Sequence, residues 1–142
     1  MLGYGHVDLC CRDVDRSVAF YLSVLGPLGL QEPITHAGER GETIRYLRLS
    51  PDGGGSLGLR PASGPEAAHD VELYAPGLHH LAFAVDARAD VDAAHAAAVM
   101  SGAPVVHAPT AFPRYHPDYY ATFFLDPDGV RVEVRSLGAD VG

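Results

Sequence analysis

Alternation of apolar and polar positions marks two similar segments of the chain, each placed after a glycine and containing a histidine. They read Gly5-His6-Val7-Asp8-Leu9-Cys10-Cys11 and Gly77-Leu78-His79-His80-Leu81-Ala82-Phe83-Ala84-Val85. A period of two predicts strands that are buried on one face, here over about 4–11 and 78–85. Because His6 and His80 lie about half a chain apart, the pattern predicts an internal repeat of one strand–helix unit.

A helical pattern follows each of these strands. In the first half Asp13 and Asp15 are N-cap candidates, and Gly26 stands where a left-handed C-cap is expected. In the second half the pattern ends at Gly102. The apolar stripes that predict the two helices are Val18, Tyr21, Leu22 and Leu25, and Val91, Ala94, His95 and Ala98.

Three further strands are predicted in each half. Those of the first half lie near 29–36, 42–49 and 56–60, and those of the second half near 104–107, 119–125 and 130–135. A loop is predicted over 108–117, and Asp126-Pro127-Asp128-Gly129 predicts a hairpin turn. We therefore expect an α+β fold with two βαβββ modules in pseudo-twofold arrangement, forming a curved, open mixed β-barrel with the helices outside. The whole chain, 1–142, is expected to be a single domain, with modules at about 1–61 and 77–137 and a linker at about 62–76.

Composition narrows the function classes. The chain of 142 residues is 47% hydrophobic and has a net charge of −8 with no basic cluster, which disfavours nucleic acid and anionic membranes as partners. No apolar run reaches the roughly 18 residues of a membrane span, and the N-terminus has no signal-peptide pattern. The two cysteines are adjacent, which fits a reduced compartment, so a cytoplasmic location is expected.

The candidate chemistry lies on three strands. Strand parity places His6 and His80 on the faces opposite the bulky apolar residues, and it places Glu133 opposite the core valines of the last strand. A carboxylate in such a position is costly to bury unless it is paired or bound to a metal. Two imidazoles and one carboxylate match the facial triad of Fe(II) sites and would also accept Mn(II), Ni(II), Co(II) or Zn(II).

The repeat is broken at one of these positions. When Ser56-Leu57-Gly58-Leu59-Arg60 is aligned with Arg131-Val132-Glu133-Val134-Arg135, Gly58 stands opposite Glu133. The first half therefore lacks a fourth ligand, and three protein ligands leave positions open for water or substrate.

Structural roles for the same residues remain open alternatives. Glu133 could pair with Arg131, Arg135 or Arg60, and each histidine could be a hydrogen-bonded structural residue. We expect His79 to point to the opposite face from His80 and His95 to pack in the core. The remaining histidines in or near loops, His36, His69 and His107, are expected to be solvated.

The segment Phe112-Pro113-Arg114-Tyr115-His116-Pro117-Asp118-Tyr119-Tyr120 precedes a strand that would line the cleft. Tyr120 and His116 are the first candidates in it for acid–base groups or donors to an oxyanion. The alternative is a proline-stiffened loop whose tyrosines cover the barrel mouth.

Three blocks of the sequence together resemble the vicinal oxygen chelate superfamily, which includes glyoxalase I, fosfomycin-resistance thiol transferases, bleomycin-resistance proteins and extradiol dioxygenases. The blocks are His6-Val7-Asp8-Leu9 leading to Ser17-Val18-Ala19-Phe20-Tyr21 and Leu25-Gly26, then Gly77 to Phe83, and Phe123-Phe124-Leu125-Asp126-Pro127-Asp128-Gly129-Val130-Arg131-Val132-Glu133. The resemblance implies a divalent metal that chelates two adjacent substrate oxygens, with His6, His80 and Glu133 at the ligand positions. Glyoxalase-like members have a further ligand where this chain has Gly58, so the resemblance fits dioxygenase-like or thiol-transferase-like members better.

Two functions are therefore expected. The first is a metal-dependent lyase, dioxygenase or thiol transferase acting on a small molecule, in which Arg131, Arg135, Asp8 and Tyr120 orient the substrate or move protons. The second is a metal-free binding protein of the bleomycin-resistance type that sequesters a drug or metabolite. In either case the resemblance implies a homodimer.

Overall fold

The structure is a computed structural model, and it describes residues 2–138. In chain order its elements are β1 (His6–Cys11), α1 (Val14–Leu25), a 3-10 helix (Gly26–Leu28), β2 (Ile34–Ala37), β3 (Thr43–Ser50), β4 (Gly53–Pro61), β5 (Leu81–Ala84), α2 (Arg88–Met100), β6 (Val105–Ala111), β7 (Tyr120–Leu125) and β8 (Arg131–Ser136). Each half therefore runs βαβββ, which confirms the predicted α+β class and module order. None of the helices within residues 2–138 is long and apolar enough to cross a membrane.

The chain divides between Asp70 and Val71 into two compact units. The first unit contains a mixed sheet of strand order β1-β4-β3-β2, in which β1 is parallel to β4 and the other pairs are antiparallel. The second unit has the same topology in the order β5-β8-β7-β6. The fourth strand of each module is thus central in its sheet and carries the residues compared above as Gly58 and Glu133.

Helix α1 begins as predicted and ends differently. The Asp13 carboxylate accepts a hydrogen bond from the Arg16 backbone N–H at 3.1 Å, which is an N-cap. The predicted left-handed cap at Gly26 is wrong, because Gly26 has a φ of −55° and the chain continues into the 3-10 helix. Pro27 fits the first turn of that helix, and the left-handed residue is Gly29 with a φ of 119°.

Two strand predictions were also wrong in their bounds. The strand predicted from residue 29 begins at Ile34, since the left-handed Gly29 and then Pro33 interrupt the extended backbone. The loop predicted over 108–117 starts later, because β6 continues to Ala111. Pro109 is compatible with β6 because the strand lies at the sheet edge, and a register shift between His107 and Thr110 hides the alternation.

The second unit positions the candidate site by its packing. The stripe Val91, Ala94 and Ala98 of α2 is fully buried, and α2 lies against β7 and β8. The hairpin turn between those strands is confirmed, since the Asp126 carboxylate accepts from the backbone N–H groups of Asp128 and Val130, both at 2.9 Å. One face of β8 therefore packs against α2, and the side chains on its other face can contribute to a binding site.

Candidate active site of the second unit

Glu133 lies on the face of β8 that points away from α2. Its neighbours Val132 and Val134 are fully buried, and Glu133 itself is only 2% exposed. In the sheet it lies between Ala82 of β5 and Phe123 of β7. A carboxylate buried to this degree requires strong partners, because desolvation of its charge is costly.

Its partners are a tyrosine and a histidine. The Tyr119 hydroxyl donates a short hydrogen bond to Glu133 Oε1, and His80 Nε2 lies 3.1 Å from Oε2. The alternative pairing with Arg131, Arg135 or Arg60 is absent among residues 2–138, where Glu133 forms no ion pair with an arginine. The carboxylate is therefore held between a neutral donor and an imidazole.

The tyrosine is kept in its protonated form by its surroundings. Burial raises the pKa of Tyr119 well above its usual range, and the hydrogen bond to Glu133 adds to the effect. A phenol in this state keeps its proton and donates a hydrogen bond to the carboxylate over the whole physiological pH range. Tyr119 is thus a fixed donor at the site.

His79 and His80 form a pair of adjacent rings. Their Nδ1 atoms are 2.7 Å apart, so one nitrogen must donate and the other must accept. The expectation that His79 faces away from His80 is wrong, because both residues precede β5 and are free of strand parity. The Tyr74 ring in turn lies 5.1 Å from that of His79.

A cavity of about 450 Å³ opens in front of this group. Its lining consists largely of aromatic and basic side chains, namely Tyr74, His79, His80, His107, Phe112, Arg114, Tyr115, Tyr119, Phe123, Arg131 and Glu133. The volume lies within the range of about 300–1,000 Å³ that is typical of small-molecule sites. All of these residues belong to the second unit.

The cavity lining contains two arginines, and neither forms an ion pair within residues 2–138. The Arg131 guanidinium lies over the Phe123 ring, 5.2 Å from its centroid, and its Nε is buried with no hydrogen-bond partner among the described residues. Arg114 is more exposed and lies over Tyr115 at 4.8 Å.

The structure places Tyr120 and His116 outside this cavity lining. The Tyr120 hydroxyl donates to Asp92 of α2 at 2.7 Å, and that hydrogen bond raises the pKa of Tyr120. His116 Nδ1 accepts from the Asp118 backbone N–H at 3.1 Å. Sequence reasoning missed Tyr119, although strand parity gives a signal, since Tyr119 and Phe123 share the face opposite the buried Phe124.

The first unit repeats part of the site without its acid. His6 is exposed at the start of β1, and its ring lies 5.5 Å from that of Tyr46, which also contacts His36 at 5.6 Å. In the second unit Phe123 contacts His80 at 6.0 Å and His107 at 5.5 Å in the same order of strands. His107 is exposed, as predicted, but it lies in β6 and not in a loop, and its ring packs on Phe123 and lines the cavity.

Where the second unit has Glu133, the first unit has Gly58, and polar side chains form a hydrogen-bonded network beside it. We call this the closed network of Asp8, Tyr46 and Arg60. Asp8 Oδ2 accepts hydrogen bonds from the Tyr46 hydroxyl at 2.9 Å and from Arg60 Nη2 at 2.6 Å. Arg60 also pairs with Glu42 at 3.2 Å. A Cβ added to Gly58 would lie 2.2 Å from Asp8 Oδ1, so the network occupies the space above this glycine.

The donor atoms of the second unit fit a divalent metal in type and spacing. Two ligands bound at about 2.0–2.2 Å in tetrahedral or octahedral geometry are about 3–3.5 Å apart, and His80 Nε2 and Glu133 Oε2 are separated by 3.1 Å. Within residues 2–138 no group of three His, Cys, Asp or Glu side chains is arranged to hold a metal ion. The structure therefore brings together two of the predicted ligand residues, His80 and Glu133, and the described residues place no third such side chain beside them.

The fold is a duplicated βαβββ architecture, and the second module carries a cavity of the size that small-molecule sites have. The chain belongs to the Glyoxalase/Bleomycin resistance protein/Dioxygenase superfamily, whose family model matches residues 3–134. This confirms the resemblance found in the sequence. A search of curated proteins gives no match.

Several solved structures share the fold. A glyoxylase/bleomycin resistance protein/dioxygenase domain from Frankia sp. EAN1pec is 25% identical, with 96% of this chain and 98% of that chain covered and a TM-score of 0.76. Lactoylglutathione lyase from Agrobacterium tumefaciens is 24% identical, with coverages of 93% and 91% and a TM-score of 0.60. A fosfomycin resistance protein from Listeria monocytogenes is 14% identical, with coverages of 96% and 93% and a TM-score of 0.68. The last two show the fold alone.

Proposed function

We propose that the protein is a metal-dependent enzyme that acts on a small molecule through two adjacent oxygen atoms. The observation that carries the proposal is the buried Glu133 carboxylate, which faces His80 Nε2 at 3.1 Å on the wall of a cavity of about 450 Å³. A divalent metal bound at this pair would act as a Lewis acid on the substrate oxygens. Fe, Mn, Ni, Co and Zn are all compatible with these donors.

His6 is the third ligand of the proposal. The sequence repeat and the family resemblance support it, and it belongs to the first unit. The resemblance also leads us to propose a homodimer, which sedimentation equilibrium measures.

The chain's own residues would prepare the substrate for reaction. Tyr119 holds one proton, which it donates to the Glu133 carboxylate, so it can hydrogen-bond a substrate oxygen or return a proton to it only after its hydroxyl leaves the carboxylate. Arg131 provides positive charge at the cavity wall, which can stabilise negative charge on a bound substrate. The sequence suggested Tyr120 and His116 as acid–base groups. We assign that role to Tyr119, because of these three residues only Tyr119 lines the cavity.

Metal analysis of the purified protein tests this function. We expect about one equivalent of a divalent metal after expression in medium supplied with all five candidate metals, and a loss of about tenfold or more in metal affinity in His80→Ala and Glu133→Gln. His6→Ala tests the third ligand by itself.

Matched controls separate ligation from general destabilisation. His36→Ala removes the other histidine that contacts Tyr46, and Glu42→Gln removes a carboxylate from the first unit. Metal content should be unchanged in both. The proposal is refuted if the wild type, His80→Ala and Glu133→Gln all have the same metal content.

A second function is supported by the aromatic lining of the cavity, which suits sequestration of a small molecule without chemistry. It predicts that a ligand raises the melting temperature equally with and without a chelator. The enzyme hypothesis predicts that chelation lowers the melting temperature of the protein as purified.

A further inference from the structure

We propose that the cavity of the second unit selects planar aromatic acids, with the ring held by Phe112 and Phe123 and the anionic group held by Arg131. The proposal deepens the proposed function, since it names the substrate class of the same site. It is drawn from the ring geometry and the charges of the cavity wall.

The ring contacts form a continuous aromatic wall. The Phe112 centroid lies 5.8 Å from Phe123, 6.0 Å from His107 and 6.3 Å from Tyr119, each in an edge-to-face arrangement. Rings locked at right angles to one another present alternating edges and faces to the cavity. A planar ring can make both edge-to-face and offset stacked contacts with such a wall, whereas a saturated ring gains only its buried area.

The charge of the wall favours an anion. Arg131 has a buried Nε without a partner among the described residues, whereas Arg60 of the first unit is engaged by carboxylates at 2.6 Å and 3.2 Å. A guanidinium binds a carboxylate through two parallel hydrogen bonds, and within residues 2–138 the Arg131 guanidinium forms no hydrogen bond or ion pair that an anionic ligand would have to displace.

A cationic ligand is disfavoured by the same arrangement. Glu133 is the one carboxylate in the lining given by the described part of the chain, and it is already bound to Tyr119 and His80. Arg114 and Arg131 add two positive charges to the wall. Counted over Arg114, Arg131 and Glu133, the cavity lining therefore carries a net charge of +1.

The positions of the two groups also fit the proposed chemistry. Arg131 and Glu133 are two residues apart on one face of β8, so an acid group bound by Arg131 lies next to the His80–Glu133 pair. An aromatic acid with a hydroxyl on the neighbouring ring carbon would present two adjacent oxygens there. The simplest probe of this kind is 2-hydroxybenzoate.

Calorimetric titration of the protein, with EDTA and again with added metal, tests the proposal. We expect 2-hydroxybenzoate to bind about tenfold or more tightly than the uncharged 2-hydroxybenzamide, the saturated cis-2-hydroxycyclohexanecarboxylate or the cation benzyltrimethylammonium. Arg131→Met should remove the preference for the acid over the amide. Phe112→Leu should reduce the preference for the aromatic over the saturated acid.

Arg48→Met is the matched control, because it removes the same charge from an exposed position in the first unit. Circular dichroism of each variant establishes that it folds, and Arg131→Lys should restore part of the preference for the acid. The proposal is overturned if the amide, the saturated acid or the cation binds as tightly as 2-hydroxybenzoate, or if Arg131→Met and Arg48→Met behave alike.

The two proposals fail in different ways. If the purified protein retains no metal, and aromatic acids bind in a way that depends on Arg131 but not on added metal, the metal-dependent enzyme is refuted and the proposed ligand class stands. If metal content depends on His80 and Glu133 but aromatic acids are not preferred, the proposed ligand class is refuted and the metal site stands.

Discussion

Replacing Gly58 with alanine is expected to destabilise the protein far more than a typical glycine substitution in a strand. The new Cβ would lie 2.2 Å from Asp8 Oδ1 and 2.6 Å from Tyr46 Cε1, so at least one of these side chains must move. The carboxylate is not free to rotate, because its other oxygen accepts hydrogen bonds from the Tyr46 hydroxyl at 2.9 Å and from Arg60 at 2.6 Å. Relief of the overlap therefore breaks part of the network.

The magnitude follows from two contributions. Overpacking of a well-filled site costs about 1–3 kcal/mol, and loss of a hydrogen bond to a charged group costs about 1.5–3 kcal/mol. The second contribution is reduced by solvent screening, because the Arg60 and Asp8 side chains are 25% and 19% exposed. We expect a net loss of about 2–4 kcal/mol in the free energy of unfolding, or about 6–15 °C in melting temperature for a chain of this size.

Urea unfolding followed by circular dichroism measures this loss. Gly5→Ala is the matched control, since a Cβ there meets nothing within 4 Å, and its free energy of unfolding should change by less than about 0.5 kcal/mol. The double variant Gly58→Ala/Tyr46→Leu should lose less than the sum of the two single variants, because removal of the Tyr46 ring relieves part of the overlap that the new Cβ creates. A Gly58→Ala protein as stable as Gly5→Ala would refute the reasoning.

Three further predictions concern single side chains. The raised pKa of Tyr119 means that the folded state holds this proton more tightly than the unfolded state, so the free energy of unfolding falls as the pH rises above about 10. Tyr119→Phe should reduce this loss when unfolding is measured over a series of alkaline pH values. An unchanged dependence of the free energy of unfolding on pH would contradict the assignment. Tyr120→Phe should leave metal content unchanged, because that hydroxyl is bonded to Asp92 and lies outside the cavity lining; a loss of metal would return Tyr120 to the site. Asp13→Ala should lower the free energy of unfolding by about 1 kcal/mol through loss of the N-cap, whereas Asp13→Asn, which keeps an acceptor, should lose less than half of that.

The order of the elements was predictable because hydrophobic periodicity and caps are local signals. Asp13, Gly102 and the 126–129 turn all act within a few residues of themselves, and the structure has them as expected. The end of β6 was not predictable in this way. Its pairing with β7 involves a register shift and a proline at a sheet edge, both of which depend on a partner strand.

The site was predictable to the level of strands and not of individual side chains. Parity placed Glu133 on the face opposite the valines, where it lies. Parity did not apply to His79 and His80, since the regular strand begins after them at Leu81. Strand parity did carry a signal for Tyr119, which shares the face of Phe123, but the contact of Tyr120 with Asp92 of α2 is a tertiary contact that no local pattern specifies.

The closed network of Asp8, Tyr46 and Arg60 has a consequence for saturation stoichiometry. A chain built from two copies of one module could in principle take up two equivalents of an acidic ligand. In the first module, however, the residue aligned with Arg131 is Ser56, and the nearby Arg60 already pairs with carboxylates at 2.6 Å and 3.2 Å. Titrations with an acidic ligand should therefore reach a plateau at one equivalent per chain, because carboxylates of the first module itself occupy the arginine that would otherwise bind a second equivalent.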